Sequence, residues 1–167
     1  RKESNRSNYF WKYKIIHPGY NFRLSDVNSS LGNSQLKRLD KIINARKKVA
    51  ALYIKKLSKF KKYINLPIIK SNKSAFHLFI ITFNLKNLNI SRDKIIQILY
   101  RNGIITQVHY IPINSHPYYK KYSGNKFQNA NKYFKTCLTL PIYPDLQEKE
   151  VSYICSKISS LIEKLTN

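Results

Sequence analysis

Acidic residues are scarce in this chain: eight Asp+Glu stand against 31 Lys+Arg in 167 residues. Most of the few carboxylates fall at helix starts or on charged faces, so no close pair is available for glycoside or general acid/base chemistry. Cysteine is nearly absent too. Cys137 and Cys155 have no CxxC spacing, which excludes a zinc framework and a disulfide-stapled secreted fold, and both read as reduced core thiols. The four glycines form no Gly-rich phosphate loop, and no Ser nucleophile elbow is present. No apolar run approaches the ~18 to 20 residues of a membrane span. Residues 1–9 are polar and basic with no apolar stretch behind them, unlike a signal peptide. A soluble cytoplasmic protein, with no membrane and no metal partner, is expected. The opening Arg1-Lys2-Glu3-Ser4-Asn5-Arg6-Ser7-Asn8 has no Met and reads as a loop entered mid-protein, so the chain is expected to be part of a longer one.

What is present is enough for one domain with a real core: 43% of the residues are apolar. The net charge of +23 first suggests a polyanion partner such as nucleic acid. The excess is mostly Lys, spread along the whole chain and accompanied by many Asn, Ile, Tyr and Phe. A+T-rich codons produce that pattern without selection for binding, whereas a dedicated nucleic-acid surface clusters its charge on one face. A basic nucleic-acid-binding module therefore stays as the alternative, to be told apart by a steep loss of binding with salt. The charge would still attract anionic small molecules.

Hydrophobic spacing outlines the elements. Ser25 or Asp26 can cap a helix, and apolar residues from Val27 through Leu57 keep helical spacing with an interruption near Gly32-Asn33, predicting one or two long amphipathic helices over 25–60. A buried strand is predicted over 75–83, a helix begins at Ser91 and stops at Asn102-Gly103, and a second strand covers 104–111. A short helix over 130–137, a third extended piece over 138–144 and a final helix over about 147–165 complete the order. This gives an α/β unit, with α+β also open; the strand–helix–strand spacing is long enough for a crossover, although antiparallel pairing stays possible.

The four histidines are the natural acid/base or metal candidates. His17 precedes a Pro-Gly turn and reads as surface; His77 sits in an apolar strand and reads as a satisfied core histidine. His109 and His116 lie seven apart with no neighbouring carboxylate, a poor metal site. Composition and spacing alone stop at a basic α/β domain able to bind an anion.

The motifs go further. The run Gly19-Tyr20-Asn21-Phe22-Arg23-Leu24-Ser25-Asp26-Val27-Asn28-Ser29-Ser30-Leu31-Gly32 closely resembles the opening of the C-terminal portion of DegT/StrS-type sugar aminotransferases. Collinear landmarks follow at Ser74-Ala75-Phe76-His77-Leu78-Phe79, Arg101-Asn102-Gly103-Ile104, Gln107-Val108-His109-Tyr110-Ile111-Pro112-Ile113, His116-Pro117-Tyr118-Tyr119 and Cys137-Leu138-Thr139-Leu140-Pro141-Ile142-Tyr143-Pro144. Within the family they look most like the enzymes that aminate C4 of a UDP-linked 4-keto-6-deoxy-N-acetyl sugar on the route to pseudaminic acid. Phe76 stands where Trp is common, and Asn28 and Asn33 replace small or apolar residues.

The resemblance implies the C-terminal part of a fold-type I homodimer that uses pyridoxal 5'-phosphate. Residues 1–24 would lead in from a large domain, 25–60 form a long connecting helical region, and 61–167 make the small C-terminal α/β domain. The lysine of the internal aldimine would lie upstream of Arg1, so no catalytic residue is assigned here and the chain alone is expected to be inactive. Asn21 would hydrogen-bond the cofactor phosphate of the neighbouring subunit, an amide N–H being a donor of fixed geometry. Arg23 would hold a phosphate or carboxylate through its planar fork. His109, Tyr110, His116 and Tyr118 would contact the nucleotide sugar rather than move protons. The expected partners are a nucleotide-sugar substrate, an amino-acid donor, expected to be glutamate, and a second subunit sharing the active site. A regulatory relative without the lysine is a further alternative.

Overall fold

The computed structural model describes residues 2–3, 14–15, 19–20, 22–68, 73–122 and 127–166. They fall into two compact units, Arg1–Arg38 and Leu39–Asn167.

In the first unit, β1 (Lys2–Glu3) and β2 (Lys14–Ile15) pair antiparallel, Lys2 opposite Ile15. α1 spans Asp26–Leu36. Ser25 caps it, its Oγ accepting the Asn28 N–H at 3.3 Å, and Asp26 puts a negative charge on the positive end of the helix. No α1 residue is buried, and Val27, Leu31 and Leu36 are exposed together with Tyr20, Phe22 and Leu24.

The second unit carries the core. α2 (Leu39–Leu57) and α7 (Glu148–Thr166) pack together. Val49, Ala50, Tyr53 and Leu57 form the buried stripe of the first, and Val151, Ile154, Cys155, Ile158 and Ile162 that of the second, the i, i+3, i+4 spacing of an amphipathic helix. The Tyr53 ring stacks on Phe79 with centroids 4.9 Å apart, and its hydroxyl donates to the Pro141 carbonyl at 2.9 Å. Burial drives that phenol's pKa far above its ordinary value.

The sheet has the order β3 (Ile64–Asn65), β4 (Phe79–Phe83), β5 (Cys137–Leu140), antiparallel throughout. Phe79, Ile81 and Phe83 are buried and alternate with half-buried Ile80 and Thr82, as the pleat requires. After the short α3 (Leu85–Leu88), α4 spans Arg92–Arg101. Ser91 Oγ accepts the Lys94 N–H at 3.2 Å, and Gly103, at φ +72°, lets Ile104 N–H return to the Leu99 carbonyl at 3.0 Å. α5 (Pro117–Lys120) and α6 (Gln128–Thr136) precede β5.

The helical region expected over 25–60 is thus two helices interrupted at residues 37–38, and α2 belongs to the core of the second unit. The strand expected over 104–111 reduces to one bridge: Gln107 and Thr139 exchange both backbone hydrogen bonds, at 3.2 and 2.8 Å. Ile105 is 68% exposed, so the apolar run does not face a core along its length. The crossover is real but has β5 inserted: residue 107 runs in the direction of β4 and sits across β5 from it.

Arg92 is a buried cation the sequence did not single out, 8% exposed. Its Nη1 donates to the carbonyls of Phe134 (2.7 Å) and Cys137 (3.4 Å), its Nε bonds Asp93 Oδ1 (2.7 Å), and its guanidinium lies 4.9 Å from the Phe134 ring centroid. It ties the start of α4 to the junction of α6 and β5.

Candidate functional site

The bridge at the edge of β5 creates a small cleft. Gln107 and His109, two apart on an extended segment, project to the same side, and with His77, Thr139, Ile105 and Pro141 they line a cavity of about 180 Å³. His109 Nδ1 lies 2.8 Å from Thr139 Oγ1. Thr139 is buried, so its hydroxyl is a fixed partner that sets the ring plane, whichever of the two donates. The rings of His109 and Tyr110 meet edge to face at 4.6 Å, and Tyr110 is 73% exposed.

His77 is not the core histidine that its apolar neighbours suggest. The strand begins only at Phe79; Phe76 turns inward with φ +46° and is buried, leaving His77 exposed at the cleft.

The other expected contacts lie apart from the cleft lining. His116 is the exposed residue preceding α5, whose first position is Pro117, favourable because proline's missing N–H is not needed there. Tyr118, 70% exposed, stacks edge to face on Tyr119 at 5.0 Å, and Lys121 Nζ sits 5.6 Å from the Tyr118 ring and 4.9 Å from that of Tyr122. This is an aromatic surface with a cation over it. Arg23 lies exposed on the segment that enters α1. Asn21 falls outside the described residues. Of the cleft's lining residues, His109 alone has a site role from the family motifs; His77 reads from sequence as a core residue, and for Gln107 the two-residue spacing from His109 is the available signal.

A larger cleft of about 590 Å³ opens beside Gly103, Pro141, Tyr143, Lys149 and Tyr153. Its acid, Glu150, is engaged with the Gln147 N–H at 2.8 Å as a helix cap. The two thiols are not nucleophiles: burial pushes Cys155 up to about 11 and raises Cys137 as well, outweighing the pull of Lys56 and Arg92 respectively. Among the described residues no group of three His, Cys, Asp or Glu side chains is placed to hold a metal ion, and no helix is long and apolar enough to cross a membrane.

The polar side chains among the described cleft residues are imidazole, amide and hydroxyl groups, with no carboxylate or lysine. Residues 2–159 match the DegT/DnrJ/EryC1/StrS aminotransferase family, and the chain belongs to it. The UDP-4-amino-4,6-dideoxy-N-acetyl-β-L-altrosamine transaminase of Campylobacter jejuni is 32% identical over 156 residues, 93% of this chain and 41% of that protein. The spore coat polysaccharide biosynthesis protein SpsC of Bacillus subtilis is 32% identical over 161 residues, 94% of this chain and again 41% of the relative. Among solved structures, Helicobacter pylori PseC, an aminotransferase of pseudaminic acid biosynthesis, superposes with a TM-score of 0.78 at 26% identity, over 98% of this chain and 43% of that one. The chain thus spans about two fifths of the length of the relatives it matches. The fold is that of the pyridoxal-phosphate aminotransferases over this part, and the family's cofactor is seen in Spr1654 of Streptococcus pneumoniae, solved in PLP and PMP forms.

Proposed function

We propose that the chain is the substrate-closing C-terminal part of a pyridoxal-phosphate-dependent aminotransferase that moves the amino group of an amino acid, glutamate, onto a nucleotide-linked keto sugar. The observation that carries this is the family match over residues 2–159, joined to a cleft whose described polar side chains are imidazole, amide and hydroxyl groups. In this reading the cofactor ring is held by a large domain on which this part closes. When bound there it supplies the electron sink for amino transfer.

This chain's residues would bind and orient. Asn21 and Arg23 are offered to the cofactor phosphate and to an anionic group of the substrate across a homodimer interface. His109, held by Thr139, and exposed Tyr110, His116 and Tyr118 would contact the sugar nucleotide. The working protein is a cytoplasmic dimer acting in surface-polysaccharide or pseudaminic-acid-type sugar synthesis, and this chain alone is inactive.

The test is an exchange. The matching part of the C. jejuni transaminase is replaced by this chain, and the chimera is assayed for glutamate-dependent amination of the 4-keto sugar and for the reverse reaction from UDP-4-amino-4,6-dideoxy-N-acetyl-β-L-altrosamine. Amino transfer above a cofactor-only control supports the proposal. A folded, cofactor-loaded dimer with no transfer refutes it.

A further inference from the structure

His77 is exposed, yet its main chain is held as a solvent-facing residue's need not be. Arg46, on α2, directs one nitrogen, Nη1, to three carbonyls: Phe76 at 3.2 Å, His77 at 3.1 Å and Ile142 at 3.2 Å. These join the segment before β4 to the segment after β5. Phe76, one of the three, is in the left-handed region, φ +46°, which a residue with a Cβ adopts only at a cost. Its N–H is taken by Ser74 Oγ at 3.2 Å, and its ring is buried. The surrounding contacts thus over-determine a conformation that local preference opposes, an arrangement that clusters at ligand sites. The side chain it presents, His77, lines the same cleft as Gln107, His109 and Thr139.

The cleft is below the ~300 Å³ at which pockets for whole drug-sized ligands begin, so it suits one polar group of a larger ligand. No carboxylate is among its described lining residues, and the chain carries a net charge of +23, so an anionic acceptor is favoured over a cation.

We propose that His77 is a second ligand-contacting imidazole of this cleft, taking with His109 the diphosphate of a nucleotide-linked sugar, and that Arg46 is the positioning residue that presents it. The identity of the ligand rests on the aminotransferase reading. The position of His77 beside His109 does not.

The chain, labelled with ¹⁵N at histidine, is titrated with UDP and separately with uridine, which has no phosphate, while ring nitrogen signals are followed. UDP should move the His77 and His109 signals together, and uridine neither. His77→Ala should weaken UDP binding at least fivefold. Arg46→Met should do the same and shift the His77 ring signals of the unliganded chain while leaving those of His109 near the parent's, a selectivity that a purely structural role would not give; if Arg46→Met fails to fold, His77→Ala decides. UDP moving His109 alone, moving neither ring, or binding His77→Ala as tightly as the parent overturns the inference. A chimera that transfers amino groups while His77 stays unmoved fails this inference alone. A folded but inactive chimera alongside joint movement of the two rings fails only the aminotransferase reading.

Discussion

Replacing Arg92 by Ala should unfasten α4 from the α6–β5 junction, and the size of the loss can be worked from its contacts. The 2.7 Å bond to the Phe134 carbonyl has a charged donor, which is worth ~1.5–3 kcal/mol. The guanidinium over the Phe134 ring adds about 0.5–1 kcal/mol. The ion pair with Asp93 adds little, because Asp93 is 75% exposed and such pairs contribute about 0–1 kcal/mol. The 3.4 Å approach to Cys137 is too long to count. About 3 kcal/mol should therefore disappear; with a urea slope of ~2 kcal/mol/M, the unfolding midpoint falls by roughly 1.5 M. Asp93→Asn is the control and should move the midpoint by no more than about a third of that. The assay is urea unfolding followed by circular dichroism and by tyrosine fluorescence. A midpoint within about 0.3 M of the parent at an unchanged slope, or an Asp93→Asn loss equal to that of Arg92→Ala, refutes the assignment of the stabilisation to the carbonyl bond.

Two further outcomes are expected at the site and in the core. Thr139→Val keeps the strand's shape and its backbone pairing with Gln107 while deleting the hydroxyl against His109 Nδ1; the ¹⁵N signals of that ring should change tautomer balance while Thr139→Ser leaves them near the parent, and no change in Val refutes the role of the hydroxyl. Cys155, pushed from 9.0 to about 11 by burial, stays protonated in the fold where the unfolded chain loses its proton. Stability from this source is therefore full below pH 9 and is lost as pH rises toward 11, so the urea midpoint of Cys155→Ala should fall less steeply over that window than the parent's; parallel pH profiles would sink the claim.

The helices are legible in the sequence because their signals are local. Ser91 and Gly103 bracket α4 through bonds that reach three to five residues, and the α7 stripe repeats from Val151 to Ile162. The sheet is legible only in part, since a strand's partner is set by distant chain. The run at 104–111 has the composition of a strand, but β5 lends it a single pairing, at residue 107, and β3 is two residues long with no alternation to read. Arg92 looks like one more charge in a first helical turn, because the carbonyls that bury it come from 42 and 45 residues later. His77 misleads for a related reason. Apolar neighbours imply burial only if the strand extends through them, and the turn at Phe76 ends that register. Of the expected site, the family motifs lead to His109, whereas the hydroxyl and the guanidinium that steady the cleft are found only in three dimensions.

A lone antiparallel bridge is mechanically a pivot rather than a weld. Thr139 grips the main chain of Gln107 with its own backbone and the ring of His109 with its hydroxyl, so the segment hangs on the sheet by an axle and a tether at one residue. Thr139 thus indexes His109 to β5, whereas Tyr110 and the described residues just beyond it take no sheet pairing. Sequence changes beyond Tyr110 could therefore alter the reach of the loop without disturbing the imidazole, a division of labour in which a fixed recognition point and an adjustable arm share a single hinge pin.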